Sequence, residues 1–93
     1  MVKKFEPKDN YSIAVISDTH GRLPSGVTKA FHEVDLIIHA GDIGDDRVLN
    51  RLAKIAPITA VRGNMDFDQW AAQLPENETI EIGGIILVVL HVA

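Results

Sequence analysis

Aspartate, histidine and asparagine stand directly behind four short apolar runs of this chain, and their side chains are donors for divalent cations. Ser12–Ser17 (SIAVIS) runs into Asp18-Thr19-His20, and Leu36–Ala40 (LIIHA) into Gly41-Asp42. Ile58–Val61 (ITAV) leads through Arg62 into Gly63-Asn64-Met65-Asp66, and Ile85–Leu90 (IILVVL) delivers His91. Carboxylate and amide oxygens together with imidazole nitrogens suit first-row divalent metals. In open α/β sheets the ligand crevice lies outside the carboxyl ends of the strands. Four such ends in succession point to a metal site.

The elements that must position these residues follow from period and punctuation. Ser12–Ser17 and Leu36–Ala40 are apolar on both faces, the pattern of buried parallel strands. Between them, Ser25–Glu33 is expected as a short helix with Ser25 as N-cap, its stripe formed by Val27, Ala30, Phe31 and Val34. A second helix is expected over Asp46–Ala56, capped by Asp45 or Asp46 and stopped by Pro57, with Val48, Leu49, Leu52 and Ile55 on its apolar face. Ile58–Val61 is the third strand, and Phe67–Leu74 a loose helical turn with Trp70 in a small satellite core. Thr79–Ile82 and Ile85–Leu90 flank Gly83-Gly84 as a hairpin. The order is β-α-β-α-β followed by ββ, an α/β design.

Length and composition bound the reading. At 93 residues the chain is one small domain, divided as a polar arm over 1–10 and a folded part over 11–93. A hydrophobic content of 46% argues against disorder. The net charge of −4 leaves no basic patch for sequence-independent nucleic-acid binding. Without cysteine, neither a disulfide framework nor a thiolate metal site is possible. No apolar run is long enough to span a membrane, and a cytoplasmic location is the default expectation.

The succession Asp18-Thr19-His20, Gly41-Asp42, Gly63-Asn64-Met65-Asp66 and His91 resembles the calcineurin-like metallophosphoesterases, most closely their small single-domain prokaryotic phosphodiesterase branch. The resemblance implies the amino-terminal part of a four-layer α/β/β/α sandwich and hydrolysis of a phosphodiester or phosphomonoester by metal-activated hydroxide. It implies that Asp18 and His20 bind a first ion, that Asp42 bridges two ions, and that Asn64 and His91 bind the second. Asp42 and Asn64 would be the catalytic pair among them. Two ions about 3.5–4 Å apart can activate a water and stabilise both attacking and leaving oxygens. Manganese is the expected metal, with iron, zinc or nickel compatible with the same donors. The substrate would be a phosphorylated small molecule.

The family's closing Gly-His-x-His stretch does not occur within these 93 residues, and Val92 stands where a glycine usually follows His91. The site of the isolated chain is therefore expected to be impaired. The alternative is a catalytically degraded module that keeps the fold as an interaction surface. The family's second sheet is likewise expected to be missing. Right-handed crossovers place both helices on one face of the sheet, so the other face is expected to lie uncovered and to drive dimerisation or recruit a second chain. Among the remaining polar residues, His39 fits packing or support of a ligand. Asp66 either orients the asparagine loop or stabilises its turn. Arg62 can meet a substrate phosphate or simply end its strand in solvent.

Overall fold

Three parallel strands carry the first three polar loops at their carboxyl ends. The structure, a computed structural model, describes residues 11–63, 66, 69–82 and 84–91, together with the backbone of Val2–Phe5. A first strand, β1 (Val2–Phe5), precedes β2 (Ile13–Ile16), β3 (Leu36–His39) and β4 (Ile58–Ala60). β2, β3 and β4 form one sheet in that order, with Ile13 opposite Leu36 and Ile37 opposite Ile58. Each strand is a residue or more shorter than its apolar run. Ser17, Ala40 and Val61 already belong to the loops that carry polar side chains.

The connections behave as crossovers should. α1 (Ser25–Ala30) and α2 (Asp46–Ala53) join these strands, and α3 (Gln69–Ala72) follows β4. Ser25 is the first residue of α1, not its cap: Pro24 takes that position and no side chain bonds there. With Gly26 inside and no acidic residue in its first turn, α1 is short. α2 is capped as expected, the Asp45 carboxylate accepting from the Arg47 N–H at 2.9 Å. All three helices pack on one face of the sheet. There Ala14, Ile37, Ala60, Val48 and Leu52 form a buried cluster joined by Val27, Phe31 and Trp70. Trp70 thus belongs to the main core and not to a satellite.

The opposite face corrects the expectation drawn from sequence. β5 (Asn77–Ile82) and β6 (Ile85–Leu90) form an antiparallel hairpin, and β1 pairs in parallel with β5. A second sheet of order β1-β5-β6 therefore exists. Its Ile80, Ile82 and Val89 close on Leu36 and Ile38 of the first sheet and on Val61 just past β4, so that face is not left bare. Val2–Phe5, expected as part of a polar arm, is a strand because main-chain pairing needs no apolar side chains, and lysines are common on sheet edges. What stays exposed is narrower than a sheet face: Val15 on β2, and Ile85, Ile86, Val88 and Leu90 on β6. Among the described residues no helix is long and apolar enough to cross a membrane.

Candidate metal centre

Three loops from the first sheet and one strand end from the second meet at a single point. The Asp18 N–H donates to the Gly41 carbonyl at 2.9 Å, the His20 N–H to Asp42 at 3.1 Å, and the Gly21 N–H to Ile43 at 2.7 Å. These bonds continue the β2–β3 ladder past the strand ends and lay the two loops side by side. Asp18, His20 and Asp42 have φ values of 55°, 50° and 55°, and they are the non-glycine residues with positive φ among those described. Left-handed backbone is uncommon outside glycine and concentrates where function over-determines the chain. Each of the three is a donor that the sequence singles out.

Asp18, Asp42 and His91 each offer a ligand atom, and these atoms lie within 4.8 Å of one another. Asp42 is buried, His91 is partly buried and Asp18 is exposed. The His91 Nδ1–H donates to the Ala40 carbonyl at 2.9 Å. In the neutral ring that bond leaves the lone pair on Nε2, which faces Asp42 Oδ2 at 3.3 Å. A lone pair set against a carboxylate oxygen repels it unless a cation or proton lies between them. Histidine ligands commonly donate their second nitrogen to a carbonyl in this way. The donor set therefore fits a divalent ion. His20 stands at the rim, its Nε2 3.7 Å from Asp18 Oδ1 and both side chains about half exposed. Asn64 lies outside the described residues.

Glycine is required where the loops touch. Gly41 has φ +108°, and a Cβ there would come within 2.8 Å of the His91 Cβ. A Cβ on Gly63 would overlap the backbone and carboxylate of Asp42. Both glycines let a neighbouring ligand approach the main chain, as their places beside Asp42 and Asn64 suggest.

Two buried polar side chains brace the loops. His39 is fully buried. Thr19 Oγ1 donates to the Ile43 carbonyl at 2.9 Å, so it accepts from His39 Nε2 at 3.0 Å. The Gly41 N–H donates to His39 Nδ1 at 3.2 Å. Together these bonds specify a neutral ring. Burial pushes its pKa down to about 4, against the opposing pull of the Asp66, Asp18 and Asp42 carboxylates. Asp66 accepts from the N–H groups of Gly63 at 2.9 Å, Gly44 at 3.0 Å and Ile43 at 3.2 Å. Burial alone would raise its pKa, and those backbone donors outweigh it and hold the carboxyl below its ordinary range. Asp66 thus ties Gly63 to Ile43 and Gly44, which follow Asp42.

Arg62 donates from its guanidinium to Glu76 Oε1 at 2.9 Å, an ion pair whose glutamate is largely exposed. Thr19, named in the sequence only as part of a motif, proves to be the hydroxyl that joins both loops. Its position between two donor residues was the available signal.

The comparisons with known proteins agree with this geometry. A model described as the calcineurin-like phosphoesterase superfamily domain matches residues 11–93. A probable metallophosphoesterase of Methanocaldococcus jannaschii is 44% identical over 84 residues, covering 85% of this chain and 42% of that protein. One of Methanothermobacter thermautotrophicus is 37% identical over 84 residues, with 85% and 48% covered. The chain thus spans less than half the length of these relatives. Among solved structures, Vps29 of Chaetomium thermophilum gives a TM-score of 0.73 at 22% identity, over 85% of this chain and 45% of that one, a likeness of fold. A predicted phosphoesterase of Streptococcus pneumoniae gives 0.61 at 29% identity, over 87% and 45%.

Proposed function

This chain belongs to the calcineurin-like phosphoesterase superfamily, and from that premise we propose that it contributes the first half of a metal-dependent phosphoesterase site. The observation that carries the reading is the meeting of Asp18, Asp42 and His91, with His91 Nε2 turned toward Asp42 Oδ2 at 3.3 Å. Asp18, Asp42 and His91 would hold divalent metal, with His20 and Asn64 as further donors and manganese as the preferred ion. When bound, such ions lower the pKa of a water and offset charge on the phosphoryl oxygens. The chain's own residues do the rest. Asp42, together with Asn64 that follows Gly63 in the chain, would orient the reacting groups. Asp66 and His39 fix the loop carrying Asp42, and the exposed Asp18 side faces incoming substrate.

Residues 1–93 contain no Gly-His-x-His stretch. Taken alone, these residues would offer each ion one imidazole fewer than the family supplies, and hydrolysis by residues 1–93 by themselves is expected to be slow. Turnover of bis-(p-nitrophenyl) phosphate with manganese tests this, with Asp42→Asn as control. Slow turnover abolished by Asp42→Asn supports the reading, and activity unaffected by that substitution contradicts it.

A second reading, an interaction module with reduced catalysis, is supported by the exposed apolar residues of β6, Ile86 at 65% and Val88 at 63%. β6 is the last strand of its sheet, so its outer edge is open to pairing among the described residues. A second copy or a second chain would cover both. Sedimentation at low micromolar concentration separates a dimer from a monomer.

A further inference from the structure

A groove of 570 Å³ opens directly beside the donor cluster, and Asp18 lines both. Its wall combines the apolar Ile16, Leu23 and Pro24 with Ser17, the Asp18 carboxylate and Arg22. The volume lies within the range of about 300–1,000 Å³ typical of small-molecule sites. A phosphoryl group held at the donors would have this groove as the adjoining space for its organic substituent.

Arg22 is the informative member. Arg47 is engaged by Asp45 at 2.7 Å and Arg62 by Glu76 at 2.9 Å. Arg51 lines a separate, smaller groove with Gly21 and Val48. The Arg22 side chain is exposed and makes no hydrogen bond or ion pair with any described residue. Its backbone is nonetheless pinned beside the site, the N–H donating to the Thr19 carbonyl at 3.0 Å. With a net charge of −4, the protein repels anionic ligands at long range, so recognition of one requires a local cation. Guanidinium suits this by presenting planar, bidentate donors to phosphate or carboxylate.

We propose that this groove binds the organic substituent of the phosphoester and that Arg22, in place of Arg62, pairs with a second anionic group on it. The substrate class is thereby narrowed to phosphate esters whose substituent carries both apolar surface and a further phosphate or carboxylate. This rests on the metal-site reading for the position of the reacting phosphoryl group, though the groove can be tested apart from it.

The test uses amide chemical shifts of the whole 93-residue chain, with and without magnesium, titrated with inorganic phosphate, phenyl phosphate and 4-carboxyphenyl phosphate. We expect 4-carboxyphenyl phosphate to bind about tenfold more tightly than phenyl phosphate, as one charge-assisted contact allows. The largest shifts should fall between residues 16 and 25. Arg22→Gln should remove the preference while leaving phenyl phosphate within about twofold, and Arg22→Lys should keep part of it. Equal affinity for the two aryl phosphates, or a preference that survives Arg22→Gln, overturns the proposal, as does an absence of shifts at 16–25. Inorganic phosphate binding that ignores both magnesium and Asp42→Asn, beside an intact Arg22-dependent preference, would defeat the metal-site reading and leave the groove standing.

Discussion

The strands β3 and β6 are both largely apolar, LIIH ahead of the Gly41-Asp42 loop and IILVVL ahead of His91. All four residues of β3 are buried, whereas in β6 only Val89 is buried, Leu87 is partly so, and the other four are exposed. The difference lies in their neighbours. β3 is the middle strand of its sheet, covered by helices on one side and by Ile80, Ile82 and Val89 on the other. β6 is an edge strand with only its inner face packed. Each strand nevertheless delivers part of the same site. Asp42 follows the fully buried β3, and His91 comes from a strand that is mostly exposed.

The largest contrast should come from the same deletion made in both strands. Ile37→Ala removes a fully buried side chain and should cost about 2–5 kcal/mol, a large share of a small domain's stability. Ile86→Ala, at 65% exposure, should change stability by no more than about 0.5 kcal/mol. Urea unfolding measures both. Equal losses would mean that something covers β6 in solution.

Acid sharpens the contrast because the titrating groups sit in the β3 layer. The pKa of His39 is lowered to about 4 in the folded chain, from 6.5 when unfolded. Between those values the unfolded state binds more protons, so stability falls as pH drops from 6.5 toward 4 and this contribution then levels off. The loss should reach about 3 kcal/mol. Asp66, with its carboxyl held low, adds a further loss as pH falls below 3.8. Unfolding midpoints at pH 7, 5.5 and 4.5 should decline in the parent chain and flatten in His39→Gln. A flat profile in the parent would mean that His39 is not buried neutral.

Glycine substitutions probe the two layers at smaller amplitude. Gly63→Ala forces a Cβ onto Asp42, which should cost about 1–3 kcal/mol and weaken manganese binding measured by calorimetry. Gly84→Ala in the hairpin meets nothing within 4 Å and pays only for its φ of +87°, about 1 kcal/mol, with metal affinity unchanged. Metal binding lost in both would tie the hairpin to the site more tightly than the packing shows.

The smallest effect on stability is expected for Val88→Thr, within about 0.5 kcal/mol. Its signature is in association: any dimer seen by sedimentation should weaken when this exposed row loses apolar surface. An unchanged dimer would place the contact elsewhere.

Much of this fold was legible in the chain. Apolar runs bounded by glycine, proline and aspartate located five strands and two helices, and Asp45 announced the start of α2. The meeting of Asp18, Asp42 and His91 was legible in part, because each stands just past a run that had to be a strand. Less visible were β1, whose VKKF has no apolar alternation, and the second sheet it helps to build. The pairing of Val2 with Thr79 depends on main-chain bonds between distant segments, which leave no trace in composition.

Sequence by itself determined the order of elements from Ser12 onward and which side chains are candidate donors, since both are written in local periodicity and side-chain type. Only the tertiary structure decided which apolar faces are covered, that His91 turns Nε2 toward Asp42, and that Arg62 pairs with Glu76. A local pattern specifies that a face is apolar or a side chain charged. Which partner meets it is settled by packing between residues far apart in the chain, as with His91 and Ala40, and no single segment carries that information.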